Sequence, residues 1–310
     1  MQLIRDHQPD PVQETSFRTA LIVTLVGNAF LVVGKGVATY LTGSAALYAD
    51  TANSISDLIY SAALVFALKA VLRPPDLSHP QGHARFEPMV GLAMALMMGI
   101  AGYEALRSSI SRFISGGAAI ELGLPILVLL ASAAIKTAMF LVIKNLAQKS
   151  NSPALRVSAK DNLNDVLASL AAFIGILGSS TLHPLLDPLA GFLVSLWIVR
   201  GAFDAGRENF AYLTGAGPDE ALRQKIIDTA LSVDGHHSVH HMICDYVGPK
   251  LAVDIHINLP GDDTLDEVHD ISDRIIEALE SLPEVDRAYV HVEPNEDDQE
   301  MGDQEADSRN

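Results

Sequence analysis

The chain is poor in the residues that usually hold soft metals or staple extracellular folds. One cysteine, Cys244, in 310 residues excludes an internal disulfide and a cysteine-rich zinc cluster, and fits a reducing cytosol. Neither Gly-x-Ser-x-Gly nor His-Glu-x-x-His occurs, so no nucleophile elbow or helical catalytic zinc is available, and an enzyme is not expected. Basic residues are also scarce. Against 38 Asp and Glu stand 21 Lys and Arg, a net charge of −17, which argues against a nucleic-acid partner. The first sixteen residues are polar and lack the short apolar core of a cleavable signal peptide.

What is present separates along the chain. Mean hydropathy is positive, +0.24, despite the charge. From Thr214 onward lie 24 of the 38 acidic residues and only 6 of the 21 basic ones, so the first two thirds is near neutral and carries the apolar content. That contrast predicts a membrane domain followed by a soluble acidic one. Six stretches approach the roughly 20 residues a spanning helix needs. They are Phe17–Leu41, Ala45–Leu72, Met89–Ile114, Leu122–Leu146, Asp161–Ser180 and Leu185–Ala205. Lys and Arg cluster at one set of ends, from Arg18 and Arg73 to Lys160 and Arg207, whereas Arg107 and Arg112 stand almost alone at the other. Both termini are therefore expected in the cytoplasm.

Beyond Gly215-x-Gly217-Pro218 the period changes. Asp219 to Ser232 reads as an amphipathic helix, Val239–Val247 and Leu251–Leu259 as alternating strands, and Thr264 as the N-cap of a helix reaching Leu282. Ala288–Val292 reads as a third strand. The expected fold class is a six-helix membrane protein with a small α+β, ferredoxin-like cytosolic domain of order α-β-β-α-β. The expected divisions are a tail at 1–16, a transport domain at 17–206, a linker at 207–217, a cytosolic domain at 218–294 and an acidic tail at 295–310.

Two carboxylates four residues apart, Asp161 and Asp165, open the fifth apolar run, and Asn53 and Asp57 repeat the spacing in the second. Each pair shares one helix face about one turn, roughly 6 Å, apart. Carboxylates within a bilayer are costly unless they pair, face a cavity or hold an ion. Together the four residues offer three carboxylates and one amide oxygen, hard donors suited to Mn²⁺, Mg²⁺ or Ca²⁺ rather than to Zn²⁺. None of the 11 histidines falls inside an expected span. Asp161, near the expected start of its helix, could alternatively favour a helix N-terminus. Asp50 falls on a neighbouring face of its helix and is a supporting group. Lys35, Glu104 and Lys136 are further intramembrane charges, expected to pair or to face the bundle rather than to bind metal.

Gly43-Ser-x-x-Leu-x-Ala-Asp-x-x-Asn53-Ser-x-x-Asp57, followed by the loop His79-Pro-x-Gly-His83-x-Arg-x-Glu87, resembles the cation diffusion facilitator family. The resemblance spans about residues 15 to 294. It implies efflux of a divalent metal in exchange for protons, by alternating access in a homodimer, with the transport site on the second and fifth spans. The set Asn53, Asp57, Asp161 and Asp165 is similar to the manganese branch, whereas zinc members usually place a histidine in one pair. The resemblance further implies a loop metal site at Asp76 and His83. A cytosolic metal site is implied at His240, His256, His269, His291 and Glu293, with Asp254 as a lesser candidate. No prosthetic group is expected. The metal, Mn²⁺ first and then Zn²⁺, Fe²⁺, Co²⁺ or Cd²⁺, is substrate and regulator, and the setting implied is a bacterial inner membrane. The rival readings are an exporter of zinc, iron or cobalt, and a non-transporting scaffold that senses metal through its cytosolic domain.

Overall fold

A computed structural model describes residues 11–42, 45–116, 124–181, 183–233 and 238–295. Contacts divide the chain into two compact units, Met1–Phe210 and Ala211–Asn310.

The first unit is built from six long helices: α1 (Pro11–Thr42), α2 (Ala45–Val71), α3 (Phe86–Ile114), α4 (Leu124–Lys149), α5 (Pro153–Thr181) and α6 (Leu186–Leu213). At 1.5 Å per residue each exceeds the ~30 Å hydrocarbon layer of a bilayer. By length and composition α1, α3, α4 and α6 qualify as membrane spans among the described residues. The other two, α2 and α5, carry the acidic pairs. Large apolar side chains such as Phe66, Phe203 and Tyr40 face outward, as lipid contact requires.

The fifth helix begins two turns earlier than its apolar run. Ser152 accepts a hydrogen bond from the Leu155 N–H (3.1 Å), and Pro153 follows at the first helical position, where its missing N–H costs nothing. Asp161 and Asp165 therefore sit in mid-helix. This removes the helix-terminus reading of Asp161, because the dipole effect fades within the first turn. The same helix is central in the packing. Leu155 and Ala159 join a core with Phe17, Leu64, Leu68, Met139 and Ile143 from α1, α2 and α4. Val157 faces the other way, into a core with Ala95 and Met98 of α3 and Ile198, Ala202 and Ala205 of α6. Small residues permit the close α3–α6 approach. A Cβ at Gly102 would meet Ile198 and Val199 at 3.0 Å, and one at Gly91 would strike the Asn209 side chain.

The second unit contains α7 (Glu220–Leu231), β1 (Ser238–Val247), β2 (Lys250–Leu259), α8 (Leu265–Glu280) and β3 (Val285–Pro294). Strands β1 and β2 form an antiparallel hairpin across Gly248-Pro249, with Gly248 at φ 74°, a conformation glycine adopts without a Cβ penalty. β3 pairs with β2 in parallel, which requires a crossover, and α8 supplies it. Along β2, Leu251, Val253, Ile255, Ile257 and Leu259 are buried against Ile226 and Ala230 of α7 and Ile275 and Leu279 of α8. Strict alternation leaves Asp254 and His256 on the opposite, open face. The third strand begins at Val285, three residues before the expected Ala288.

Helix α8 starts in a reciprocal capping box. The Glu267 N–H donates to Thr264 Oγ1 (3.4 Å), and the Thr264 N–H donates to Glu267 Oε2 (2.8 Å). The Thr264 N–H holds the Glu267 carboxyl below its usual range. Its contribution is thus present above the ordinary glutamate range and is lost as pH falls through the lowered value. Thr264→Ala should cost about 1 kcal/mol of α8 stability, read as roughly fivefold faster hydrogen exchange in the first turn of α8.

Candidate metal centres

Three clusters of metal-ligating side chains form in this chain among the described residues. The first brings Asp57 of α2 together with Asp161 and Asp165 of α5, each offering an oxygen within 4.8 Å of the others. Asp57 is set by a relay from α1. Asn28 Nδ2 donates to Ser61 Oγ (2.6 Å), and Ser61 Oγ donates to the Asp57 carbonyl (2.7 Å). The buried Asn162 and Asn164 flank the acidic residues of α5. Asn162 bonds back to the Ser158 carbonyl, and Asn164 Nδ2 donates to Met98 Sδ (3.0 Å), tying α5 to α3. The side chains of Asn53 and Asp50 lie outside the described residues.

The carboxylates open on a cavity of about 410 Å³ whose lining includes Tyr60, Met94, Met98 and Glu104. Glu104 is mostly exposed and faces Arg107 at 3.7 Å. Lys136 of α4 reaches into the cluster, its Nζ 2.9 Å from Asp57 Oδ2 and 2.6 Å from Asp165 Oδ2. It pairs, as expected of a buried intramembrane charge. The sequence alone did not reveal that its partners are the acidic pairs themselves.

The second cluster is in the α2–α3 loop and holds one residue beyond the expected two. Asp76 Oδ1 lies 3.5 Å from His79 Nδ1, and Asp76 Oδ2 lies 3.5 Å from His83 Nε2. The imidazoles are 4.6 Å apart, and His83 Nδ1 faces the Arg73 carbonyl at 3.3 Å, the kind of outer contact that orients a ligating histidine. The N–H groups of His79 (2.7 Å) and Ser78 (2.9 Å) donate to Asp76, and chiefly the His79 N–H holds its carboxyl below the usual range. Asp76 therefore stays ionised into mildly acidic conditions. The spacing Asp76-x-x-His79-x-x-x-His83 was the available sign of the third ligand.

The third cluster lies on the open face of the second unit's sheet. Cα register aligns His241, His256 and His291 across β1, β2 and β3, and a bulge between Val239 and His241 offsets His240. Glu293 is the hub. Its carboxylate lies 3.4 Å from His240 Nε2, 3.3 Å from His256 Nδ1 and 3.6 Å from His291 Nε2. Asp254 stands 4.0 Å from His256, at the margin. His269 is not gathered with them. It is exposed on α8, 3.6 Å from Asp273, while the cluster is on the face that the helices leave open. His241, not expected as a ligand, packs its ring 4.9 Å from that of His256.

Two family models cover nearly the whole chain: the cation efflux transmembrane domain over residues 21–214, and the cation efflux protein cytoplasmic domain over residues 218–295. An uncharacterized transporter of Methanocaldococcus jannaschii is 35% identical over 277 residues, covering 88% of this chain and 96% of the relative. Metal tolerance protein 2 of Oryza sativa subsp. japonica is 31% identical over 295 residues, 86% of this chain and 76% of its own. The manganese efflux system protein MneS of Bacillus subtilis is 30% identical over 279 residues, 89% and 94% of the two chains. Clustered carboxylates from two helices of an apolar bundle, a sheet-borne histidine cluster and matches to both halves of one architecture agree: this chain belongs to the cation efflux, or cation diffusion facilitator, family and is an integral membrane transporter of divalent cations.

Proposed function

We propose that the protein exports Mn²⁺ in exchange for protons, with Asp57, Asp161, Asp165 and Asn53 as the transport site. The observation that carries this is the convergence of three carboxylates from α2 and α5 beside a cavity inside the bundle. Three oxygen ligands and no histidine favour a hard cation over Zn²⁺. The resemblance to a protein named for manganese efflux supports the same metal. Protons and metal compete for the same oxygens, which couples release of one to uptake of the other. Alternating access then carries the site between the two sides of a bacterial cytoplasmic membrane, with both termini in the cytoplasm.

We further propose that the loop cluster of Asp76, His79 and His83, and the sheet cluster of His240, His256, His291 and Glu293, bind regulatory metal. Imidazole and carboxylate donors suit Mn²⁺, Fe²⁺, Co²⁺ or Zn²⁺. The functional unit is a homodimer, and metal on the sheet stabilises its competent geometry by binding that geometry more tightly than its alternatives. Glu293→Gln, which removes the charge facing three histidines, should abolish metal-dependent dimerisation of the full chain in sedimentation velocity. Unchanged dimerisation would remove the sheet cluster from the regulatory role.

The transport reading is tested by loading proteoliposomes across an imposed pH gradient and measuring Mn²⁺ flux beside Zn²⁺, Fe²⁺ and Co²⁺. Preference for Zn²⁺ over Mn²⁺ would overturn the hard-donor argument. Metal-dependent association with no flux would leave a metal-sensing scaffold in place of a transporter.

A further inference from the structure

Lys136 is the least expected charge in the fold. It occupies the middle of α4, the most apolar of the candidate spans, and is only 4% exposed. An ammonium there persists only with partners of opposite charge. Its partners come from two helices, Asp57 of α2 at 2.9 Å and Asp165 of α5 at 2.6 Å. Bridging carboxylates of α2 and α5 is also what an ion held by Asp57, Asp161 and Asp165 must do. The three carboxylates lie so close together that a divalent ion among them and an ammonium on two of their oxygens would repel strongly at short range.

We propose that Lys136 is a tethered counter-cation that competes with the transported metal for the same carboxylates. It withdraws when the metal arrives and returns when the metal leaves. This rests on the transport reading above and adds to it the residue that sets affinity and fills the vacated site. A lysine suits the task, being a compact point charge on a flexible four-carbon stem, able to retract along the helix surface without leaving the bundle. The ion pairs of Lys136 in the cluster are with Asp57 and Asp165, so Asp161 is the carboxylate left to greet the incoming ion. With the ammonium in place, the metal-free site is not a bare group of mutually repelling carboxylates, so the empty transporter resets without carrying metal back. The role needs the charge of Lys136 throughout, not a change in its protonation.

The test is equilibrium Mn²⁺ binding to the full-length chain in an Asp76→Ala/His256→Ala background, which silences the loop and sheet clusters, with Mn²⁺ flux measured in parallel. Lys136→Gln should tighten Mn²⁺ binding at least about tenfold and lower kcat, because release and return lose their competitor. Lys136→Arg keeps the charge and should leave affinity within about threefold of the parent. Unchanged or weaker Mn²⁺ binding by Lys136→Gln would overturn the proposal and make Lys136 an organiser of the ligands. Should that variant fail to fold, Asp165→Asn is compared with the charge-balanced Asp165→Asn/Lys136→Gln, where the same tightening is expected and its absence is equally decisive. Failure of the transport reading is distinguishable: the parent protein itself would then show neither Mn²⁺ flux nor Mn²⁺ binding that depends on Asp57.

Discussion

Asp57→Ala and Asp161→Ala should each lower Mn²⁺ flux into proteoliposomes by at least about a hundredfold, equivalent to about 2.7 kcal/mol of lost transition-state stabilisation. The two residues come from different helices, so either loss leaves an incomplete oxygen set that no neighbour on the same helix can restore. Asp57→Ala also removes one of the two partners of Lys136, leaving the buried ammonium with Asp165 alone and lowering stability. The isosteric Asp57→Asn therefore accompanies it, and both variants are checked by thermal melting. Asp161→Ala lacks that complication, because the ammonium contacts lie on the other two carboxylates. Flux that persists unchanged in a folded Asp161→Ala protein would sink the assignment of the transport site.

Asp161→His should raise the ratio of Zn²⁺ to Mn²⁺ transport efficiency by about a hundredfold. Imidazole is a borderline donor that favours Zn²⁺, while removal of one carboxylate weakens the charge that attracts a hard ion. The position is suited to the exchange. Asp161 sits in mid-helix on α5, beside a cavity that leaves room for a ring, and its loss leaves the Lys136 pairs with Asp57 and Asp165 intact. The measurement is kcat/KM for both ions in one preparation, so that folding yield cancels from the ratio. An unchanged ratio would mean that Asp161 does not touch the transported ion.

These outcomes depend on features that were legible to very different degrees. The six apolar runs are local, and each became a helix within a few residues of its expected bounds, apart from α1, α5 and α6, which extend about two turns further at one end. For α5 hydropathy misplaced the start, because Arg156, Lys160 and Asp161 break the apolar run while Ser152-Pro153 is the true cap. Capping chemistry was the better guide there. In the second unit the alternation along β2 and the Thr264 capping box were readable outright, since strand period and N-cap geometry involve residues only two or three apart. The histidines of the sheet were harder. The burial of alternate residues along β2 sets His256 on the open face, but the bulge that offsets His240, and the central place of Glu293, arise from pairing between strands.

The sequence by itself determined that an apolar helical unit precedes an acidic α+β one, and that two i,i+4 polar pairs ride on helices whose surroundings are apolar. Both are consequences of composition and of spacing within one turn. Only the tertiary structure decided that Asp57 meets Asp161 and Asp165, that Lys136 fills the space between them, and that His79 joins Asp76 and His83. Those meetings depend on how helices cross and how a loop closes, which fix distances between residues far apart in the chain. Asp57 and Lys136 are separated by 79 positions, and what joins them is the cost of burying either charge alone.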